Sequence, residues 1–132
     1  MTSIENNGIV DVLSNYLVDR TVENLQRILT SKGIPMFAQI DHSGEAAKIG
    51  VKMLPTKLLI FGSPKAGTPI MLVAPTAALD LPLKVLVWQD RSERVWMSYN
   101  SVDFLRSRHE IPAELLQKIS VVESIVDEAG TR

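Results

Sequence analysis

Cysteine is absent from all 132 residues of the chain. The protein therefore has no disulfide, no thiolate metal ligand and no cysteine nucleophile. Aromatic residues make up only 5% of the sequence, and the formal net charge at pH 7 is −1. A nearly neutral chain creates no overall field that attracts nucleic acid or an anionic membrane surface. We therefore expect neither of these as a partner.

Long apolar runs are missing as well. No stretch of the sequence approaches the ~20 apolar residues of a membrane span. The first residues, "MTSIENNGIVDVLSNYLVDR", lack the basic and apolar regions of a secretion signal. These features favour a cytoplasmic protein. The length, with 45% apolar residues, predicts a single domain over residues 1–132.

Two kinds of catalytic site are poorly supported. The histidines, His42 and His109, lie far apart and belong to no His-x-x-x-His pair, so we predict no metal site. Ser63 stands in Gly-Ser-Pro and lacks the Gly-x-Ser-x-Gly turn of serine hydrolases.

The apolar pattern predicts five strands and two main helices. The strands are expected at residues 8–18, 34–40, 56–62, 81–90 and 93–99. One helix is expected after a Thr21 cap and ends at Gly33, and the other follows Pro112. Short helical insertions are expected near Ser43, after Thr68 and after Ser101. The resulting order, β-α-β-β-β-β-α, predicts an α+β fold with a sheet and a layer of helices on one face.

The predicted strands are apolar on both sides. Leu83, Val85 and Val87 alternate with Leu86 and Trp88, so both faces of the sheet need cover. We expect the 68–80 segment to cover part of the second face. A second copy of the chain would supply the rest, which predicts a homodimer.

The stretch "FGSPKAGTPIM", residues 61–71, is rich in glycine and proline. Gly62 and Gly67 have the spacing of a nucleotide-binding loop, but Thr68 and Pro69 replace its Lys-Ser/Thr pair. Two interpretations remain open. Free N–H groups of a helix starting near Thr68, with Lys65 nearby, would hold a small anion. Alternatively, the stretch is a rigid turn.

Asp41 and His42 follow the second predicted strand. Adjacent residues of an extended segment point to opposite faces, so these two are not expected to form a dyad. Asp41 fits the cap of the next helical turn equally well. His42 is either a general base or a hydrogen-bonded structural histidine.

Long segments of the chain resemble the bacterial domain-of-unknown-function family 302. The likeness rests on "QIDHSGEAAKIGVKMLPTKLLIFGSPKAGTPIM", "PTAALDLPLKVLVW" and "VWMSYNS", and it extends over about residues 9–110. The resemblance implies an α+β fold with a curved sheet and a homodimer, and it implies no reaction and no cofactor. The site candidates that it implies are Asp41, His42, Pro64, Lys65, Gly67, Thr68, Asp80, Lys84 and Tyr99.

The sequence therefore leaves three functions open. The leading hypothesis is a non-catalytic homodimer that binds or senses a small ligand near residues 61–69, with an anion as one option. An enzyme is the first alternative, with His42 or Asp41 as general base and with Lys65 or the backbone amides of the helix end at Thr68 stabilising negative charge. The second alternative is a structural module whose residues 61–84 build the dimer contact.

Overall fold

Six strands form one antiparallel sheet in the computed structural model, which describes residues 2–4 and 7–131. The strands are β1 (Thr2–Ile4), β2 (Ile9–Ser14), β3 (Met36–Asp41), β4 (Thr56–Phe61), β5 (Leu83–Gln89) and β6 (Val95–Asn100). Their order across the sheet is β1-β2-β6-β5-β4-β3. The short edge strand β1 was not predicted. The other five overlap the predicted strands, but β2 ends at Ser14, four residues before the predicted end at residue 18.

Five α-helices accompany the sheet. They are α1 (Val18–Ser31), α2 (His42–Lys48), α3 (Pro64–Val73), α4 (Val102–His109) and α5 (Val121–Gly130). Two 3-10 helices, Pro75–Leu79 and Ala113–Lys118, precede β5 and α5. The predicted α+β class and the order of its main elements are confirmed.

Helix α1 begins earlier than the Thr21 cap predicted. Leu17 is the N-cap residue, and Thr21 lies one turn into the helix with its side chain fully buried. There its hydroxyl donates to the Leu17 carbonyl at 2.9 Å and lies 2.7 Å from the Ser14 hydroxyl. A buried threonine with these partners does not need the terminal position. The predicted end is confirmed, since Gly33 follows α1 with a φ of +67°.

The core lies between the helices and one face of the sheet. Helices α1 and α5 contact each other, and they pack on β5 and β2 respectively. Leu59 and Phe61 of β4 and Val85 and Val87 of β5 are fully buried against this layer. Burial of one such side chain stabilises a fold by roughly 1.5–3 kcal/mol.

The opposite side of the sheet, which we term the open face, is partly exposed. Cross-strand pairs join its side chains into rows, such as Ile40, Leu58 and Leu86, and Trp88 with Trp96. Opposed residues of neighbouring strands share a face. The apolar members of the open face considered below are Ile40, Leu58, Ile60, Leu86, Trp88 and Trp96.

The prediction that residues 68–80 cover part of this face is wrong. Helix α3 packs instead against the 3-10 helix Ala113–Lys118, and its Ile70 is buried in the core. The final helix also differs from the prediction, because Ile119 and Ser120 separate the 3-10 helix from α5. The predicted apolar side of that segment is confirmed by buried Ile119, Val122, Ile125 and Val126.

Candidate functional site

Residues 61–71 contain a strand end and most of a helix. Strand β4 ends at Phe61, and α3 starts at Pro64 with Ser63 as its cap, whose hydroxyl accepts from the Lys65 N–H at 3.2 Å. The predicted start near Thr68 is therefore wrong. Ser63-Pro64 and Thr68-Pro69 both have the cap-then-proline pattern, and the earlier pair forms the helix start.

Because α3 starts at Pro64, the anion site predicted at a helix start near Thr68 is not formed. The Gly67 N–H already bonds to the Ser63 carbonyl at 2.9 Å, as an interior helix residue does. Pro69 has no N–H and lies inside the helix. Backbone donors for an anion are thus not free at Thr68.

The same stretch forms one wall of a cavity of about 350 Å³. The opposite walls come from Ile34 and the start of β3, the start of β5 and the Lys118–Val121 segment. The lining residues are Ile34, Phe37, Phe61, Gly62, Ser63, Pro64, Ala66, Gly67, Thr68, Met71, Leu81, Pro82, Leu83, Lys118, Ile119 and Val121. Such a volume is within the usual range of small-molecule sites.

The cavity is apolar with few polar groups. Its inner surface includes Phe61, Leu83 and Ile119, all buried side chains of the core. Pro64 and Thr68 are exposed, so the cavity reaches solvent beside them. This arrangement favours a ligand that has an apolar body and one solvent-exposed end.

Lys118 is the charged residue of the cavity lining. Among residues 2–4 and 7–131 it has no hydrogen bond and no ion pair through its side chain. Its ammonium group is thus available to an anionic group of a bound molecule.

Two of the predicted site residues, Gly67 and Thr68, line this cavity. Pro64 lines it as well. Lys65 lies in the first turn of α3 and is exposed outside the lining. The glycine- and proline-rich stretch 61–71 therefore forms part of the cavity wall through its small and apolar residues.

Asp41 and His42 lie at the other end of β3. Asp41 caps α2, since one carboxylate oxygen accepts from the Gly44 N–H at 2.9 Å and from the Ser43 hydroxyl at 2.7 Å. These hydrogen bonds, the Ser43 bond foremost, lower the pKa of Asp41. His42 is exposed. Strand β3 pairs Met36 with Phe61 at its cavity end, and its length of roughly 17 Å separates the two regions.

Asp80 belongs to a hydrogen-bonded cluster outside the cavity lining. Its carboxylate bonds to the Arg108 guanidinium at 3.1 Å and to the His109 Nε2 at 2.5 Å. The other ring nitrogen of His109 lies 2.8 Å from the Thr76 hydroxyl. This chain of bonds ties the 3-10 helix Pro75–Leu79 to α4, because His109 is buried and both of its nitrogens have partners.

Lys84 and Tyr99 lie on opposite faces of the sheet. Lys84 pairs with Ile60 on the open face and donates to the carbonyls of Pro82 at 3.0 Å and Asp80 at 3.3 Å. Tyr99 pairs with buried Val10 on the helix-covered face. Burial, with the nearby charges of α5, raises the pKa of Tyr99 to about 12.

Sequence reasoning missed several residues that the structure brings together. Phe37, Met71, Leu81 and Lys118 complete the cavity, and their positions reflect packing between elements distant in sequence. His109 was considered only as a metal ligand. No pattern in "RSRHE" distinguishes a buried bridging histidine from an exposed one.

A second hollow of about 550 Å³ lies between the β2–α1 connection and the β5–β6 hairpin. It is wider, and the charged residues Arg20, Glu93 and Arg94 line it. Arg94 is already paired with Asp90 at 3.1 Å. The smaller, apolar cavity therefore matches a small-molecule site better.

In the described part of the chain, no group of three or more His, Asp or Glu side chains is arranged to hold a metal ion. No helix there is long and apolar enough to cross a membrane.

Taken together, the fold and the cavity define an α+β domain with a single antiparallel sheet and a hollow at one end. Residues 10–128 match the family model "Domain of unknown function DUF302". The chain therefore belongs to that family, and the resemblance noted from its motifs is confirmed.

Solved and curated relatives extend this comparison. The crystal structure of an uncharacterised conserved DUF302 protein from Bacillus stearothermophilus matches with a TM-score of 0.76 and 15% identity, over 93% of this chain and 95% of that one. The likeness supports the fold. Proteins named "Fluoride-specific ion channel FluC 1" from Brucella suis and Brucella abortus are 35% identical over 131 residues. They match 99% of this chain, which spans about half of their length (50% and 47%).

Proposed function

We propose that this domain binds a small, largely apolar ligand in the cavity beside residues 61–69. The observation that carries the proposal is the cavity itself, about 350 Å³ in volume and lined by Phe61, Met71 and Leu81. An apolar cavity open to water is costly to maintain, and a bound apolar group would stabilise it. No part of the proposal requires catalysis.

The favoured ligand is amphipathic. Its apolar body would contact Phe61 and Leu83, and an anionic end group would approach Lys118. This retains the anionic option raised by the sequence and moves the responsible cation from Lys65 to Lys118. The reason is that Lys65 lies outside the lining.

An enzyme built on Asp41 or His42 is less well supported. The carboxylate of Asp41 is engaged in capping α2, and its lowered pKa makes it a weaker base. His42 lies far from the cavity, at the other end of β3. A general base needs a substrate within hydrogen-bonding reach, and the described hollow next to residues 61–69 offers neither group.

We also propose that the protein acts in the cytoplasm as a homodimer. The partly exposed apolar side chains of the open face support self-association. The structural-module alternative places the dimer contact in residues 61–84. The cavity between α3 and the sheet uses much of that segment, which favours ligand binding there.

The Brucella relatives suggest a setting for such a domain. They are named as fluoride-specific ion channels, and this chain spans about half of their length. Fluoride is small and strongly hydrated, so the apolar cavity is unsuited to it. Sodium fluoride is expected to stabilise the protein no more than sodium chloride of equal ionic strength in a thermal melt.

The ligand proposal is tested with decanol and decanoate, which share a chain and differ in charge. Both should raise the melting temperature and perturb the amide resonances of Phe61, Thr68 and Met71. Decanoate should bind more tightly than decanol, and Lys118→Met should abolish that difference.

A matched pair of variants identifies the binding place. Ala66→Leu adds an isobutyl group to the cavity lining, whereas Ala78→Leu adds the same group at an exposed position. Only the first should prevent decanol binding. Failure of both probes to bind the wild type, or equal binding by the two variants, would contradict the proposal.

A further inference from the structure

The open face carries a contiguous set of apolar side chains. The row Ile40, Leu58 and Leu86 lies beside Trp88 and Trp96, which pair directly with each other. Ile40 remains 36% exposed, and the others are partly exposed. Apolar patches of this kind on a sheet mark interaction surfaces more often than free solvent-facing surfaces.

Two charged residues without an ion-pair partner stand within this apolar set, since Arg94, which lies over the Trp96 ring at 5.6 Å, is paired with Asp90. Asp11 on β2 and Lys84 on β5 lie on the open face, since Asp11 pairs across β6 with Ser98 and Leu86, and Lys84 pairs with Ile60. Asp11 accepts from the Ser98 hydroxyl, which in turn accepts from the Trp88 indole at 2.8 Å. Lys84 donates only to backbone carbonyls.

Neither charge has a counter-ion in the described part of the chain. Their positions differ by two strand spacings across the sheet and by two residues along it. They are therefore roughly 12 Å apart, which is too far for a direct ion pair.

We propose that two copies of the chain pack through their open faces, with Asp11 of each opposite the partner's Lys84. A twofold axis places the same patch on both copies, so a contact from residue i to residue j occurs twice. One acid and one base on an otherwise apolar face satisfy this rule, because each finds its opposite on the other copy. A face carrying one sign only would repel itself.

Charge complementarity of this kind favours a second copy over an unrelated partner. The patch is neutral as a whole and matches itself, and its indoles and aliphatic side chains would form the contact core. This inference rests on the homodimer proposed above and is independent of the ligand cavity, which lies on the helix-covered side of the sheet.

Analytical ultracentrifugation across a dilution series tests the contact surface. Leu86→Glu places a charge at the centre of the open face and should convert the dimer to monomer. Leu72→Glu, the same change at a 77% exposed position on α3, should leave the dimer intact. Circular dichroism and decanol binding should be retained in both variants, which separates loss of the dimer from loss of the fold or of the cavity.

Charge reversal tests the pairing itself. Asp11→Lys and Lys84→Asp should each weaken the dimer about tenfold or more, because like charges would then face each other. The double variant Asp11→Lys/Lys84→Asp should recover most of the wild-type association.

A monomeric wild type would overturn the inference, as would a dimer that survives Leu86→Glu. If the double variant is as weak as the single ones, Asp11 and Lys84 do not pair. Decanol binding by a monomeric wild type would leave the ligand proposal standing while the dimer is rejected.

Discussion

Gly67 occupies an interior position of α3 although glycine is a poor helix residue. Relative to alanine, a glycine within a helix costs about 0.5–1 kcal/mol. A Cβ at position 67 would lie 3.7 Å from Met71 Cε and 3.8 Å from Leu81 Cδ1, which are ordinary contacts within the cavity lining. Gly67→Ala therefore meets no steric obstacle and should stabilise the unliganded protein.

The expected gain corresponds to a melting temperature higher by about 2–4 °C for a chain of this length. The added methyl group also occupies space that a ligand would use. Loss of one methylene contact is worth about 0.8 kcal/mol, or about fourfold in affinity. Gly67→Ala should thus be more stable and bind decanol about fourfold more weakly.

Differential scanning calorimetry and a decanol titration measure the two effects. Ala78→Leu, an exposed change outside the lining, serves as the control for binding. The reasoning is refuted if Gly67→Ala is less stable than the wild type, because the methyl group would then clash where only ordinary contacts are expected. Unchanged decanol affinity would show that the ligand does not reach this wall.

Three further results are expected. In a Tyr16→Phe variant, absorbance at 295 nm should report ionisation of Tyr99 alone, at about pH 12 in the folded state and at about pH 10 in urea. Because the unfolded phenol loses its proton first, the free energy of unfolding should fall by about 1–2 kcal/mol as the pH rises between these values, after allowance for partial solvent exposure. Identical titrations in buffer and urea would disprove the burial of Tyr99. His109→Ala should lower the free energy of unfolding in urea by about 2–3 kcal/mol because it removes a buried side chain together with its hydrogen bonds to Asp80 and Thr76. Exposed His42→Ala should change the free energy of unfolding by less than about 0.5 kcal/mol, and equal effects would count against the bridging role. Gly130→Ala should lower the free energy of unfolding by about 1–3 kcal/mol, since its Cβ would come within 3.2–3.3 Å of the β2 backbone. An unchanged melting temperature would show that α5 shifts freely to accommodate the methyl group.

Local signals predicted most of the fold. Alternation in "LPLKVLVWQD" identified β5, and the glycine after α1 identified the end of that helix. The helix expected after Ser101 is α4, and the Ser101 hydroxyl caps it by accepting from the Phe104 N–H at 3.0 Å. These features depend on neighbouring residues only, so the sequence contains the required information.

The candidate site was less predictable because it depends on tertiary packing. Residues within 61–69 line a cavity, yet the predicted helix cap inside this stretch was misplaced by five residues, from Ser63 to Thr68. Asp41, Lys84 and Tyr99 were grouped by their polar character, and the sheet directs them to different ends or faces. Lys118 was overlooked since nothing local distinguishes it from other helix-surface lysines.

Strand β3 contains an irregularity between Met36 and Ala38, where one additional residue, Phe37, is accommodated opposite β4. Phe37 contributes to the cavity wall, while the pairing from Ala38 to Asp41 stays in step with β4. Chain length can therefore change at this point without inverting the rest of the strand. A homologue that is one residue shorter here would keep its open-face residues in register and lose an aromatic side chain from the cavity wall, so the shape of the cavity can change while the open face is retained.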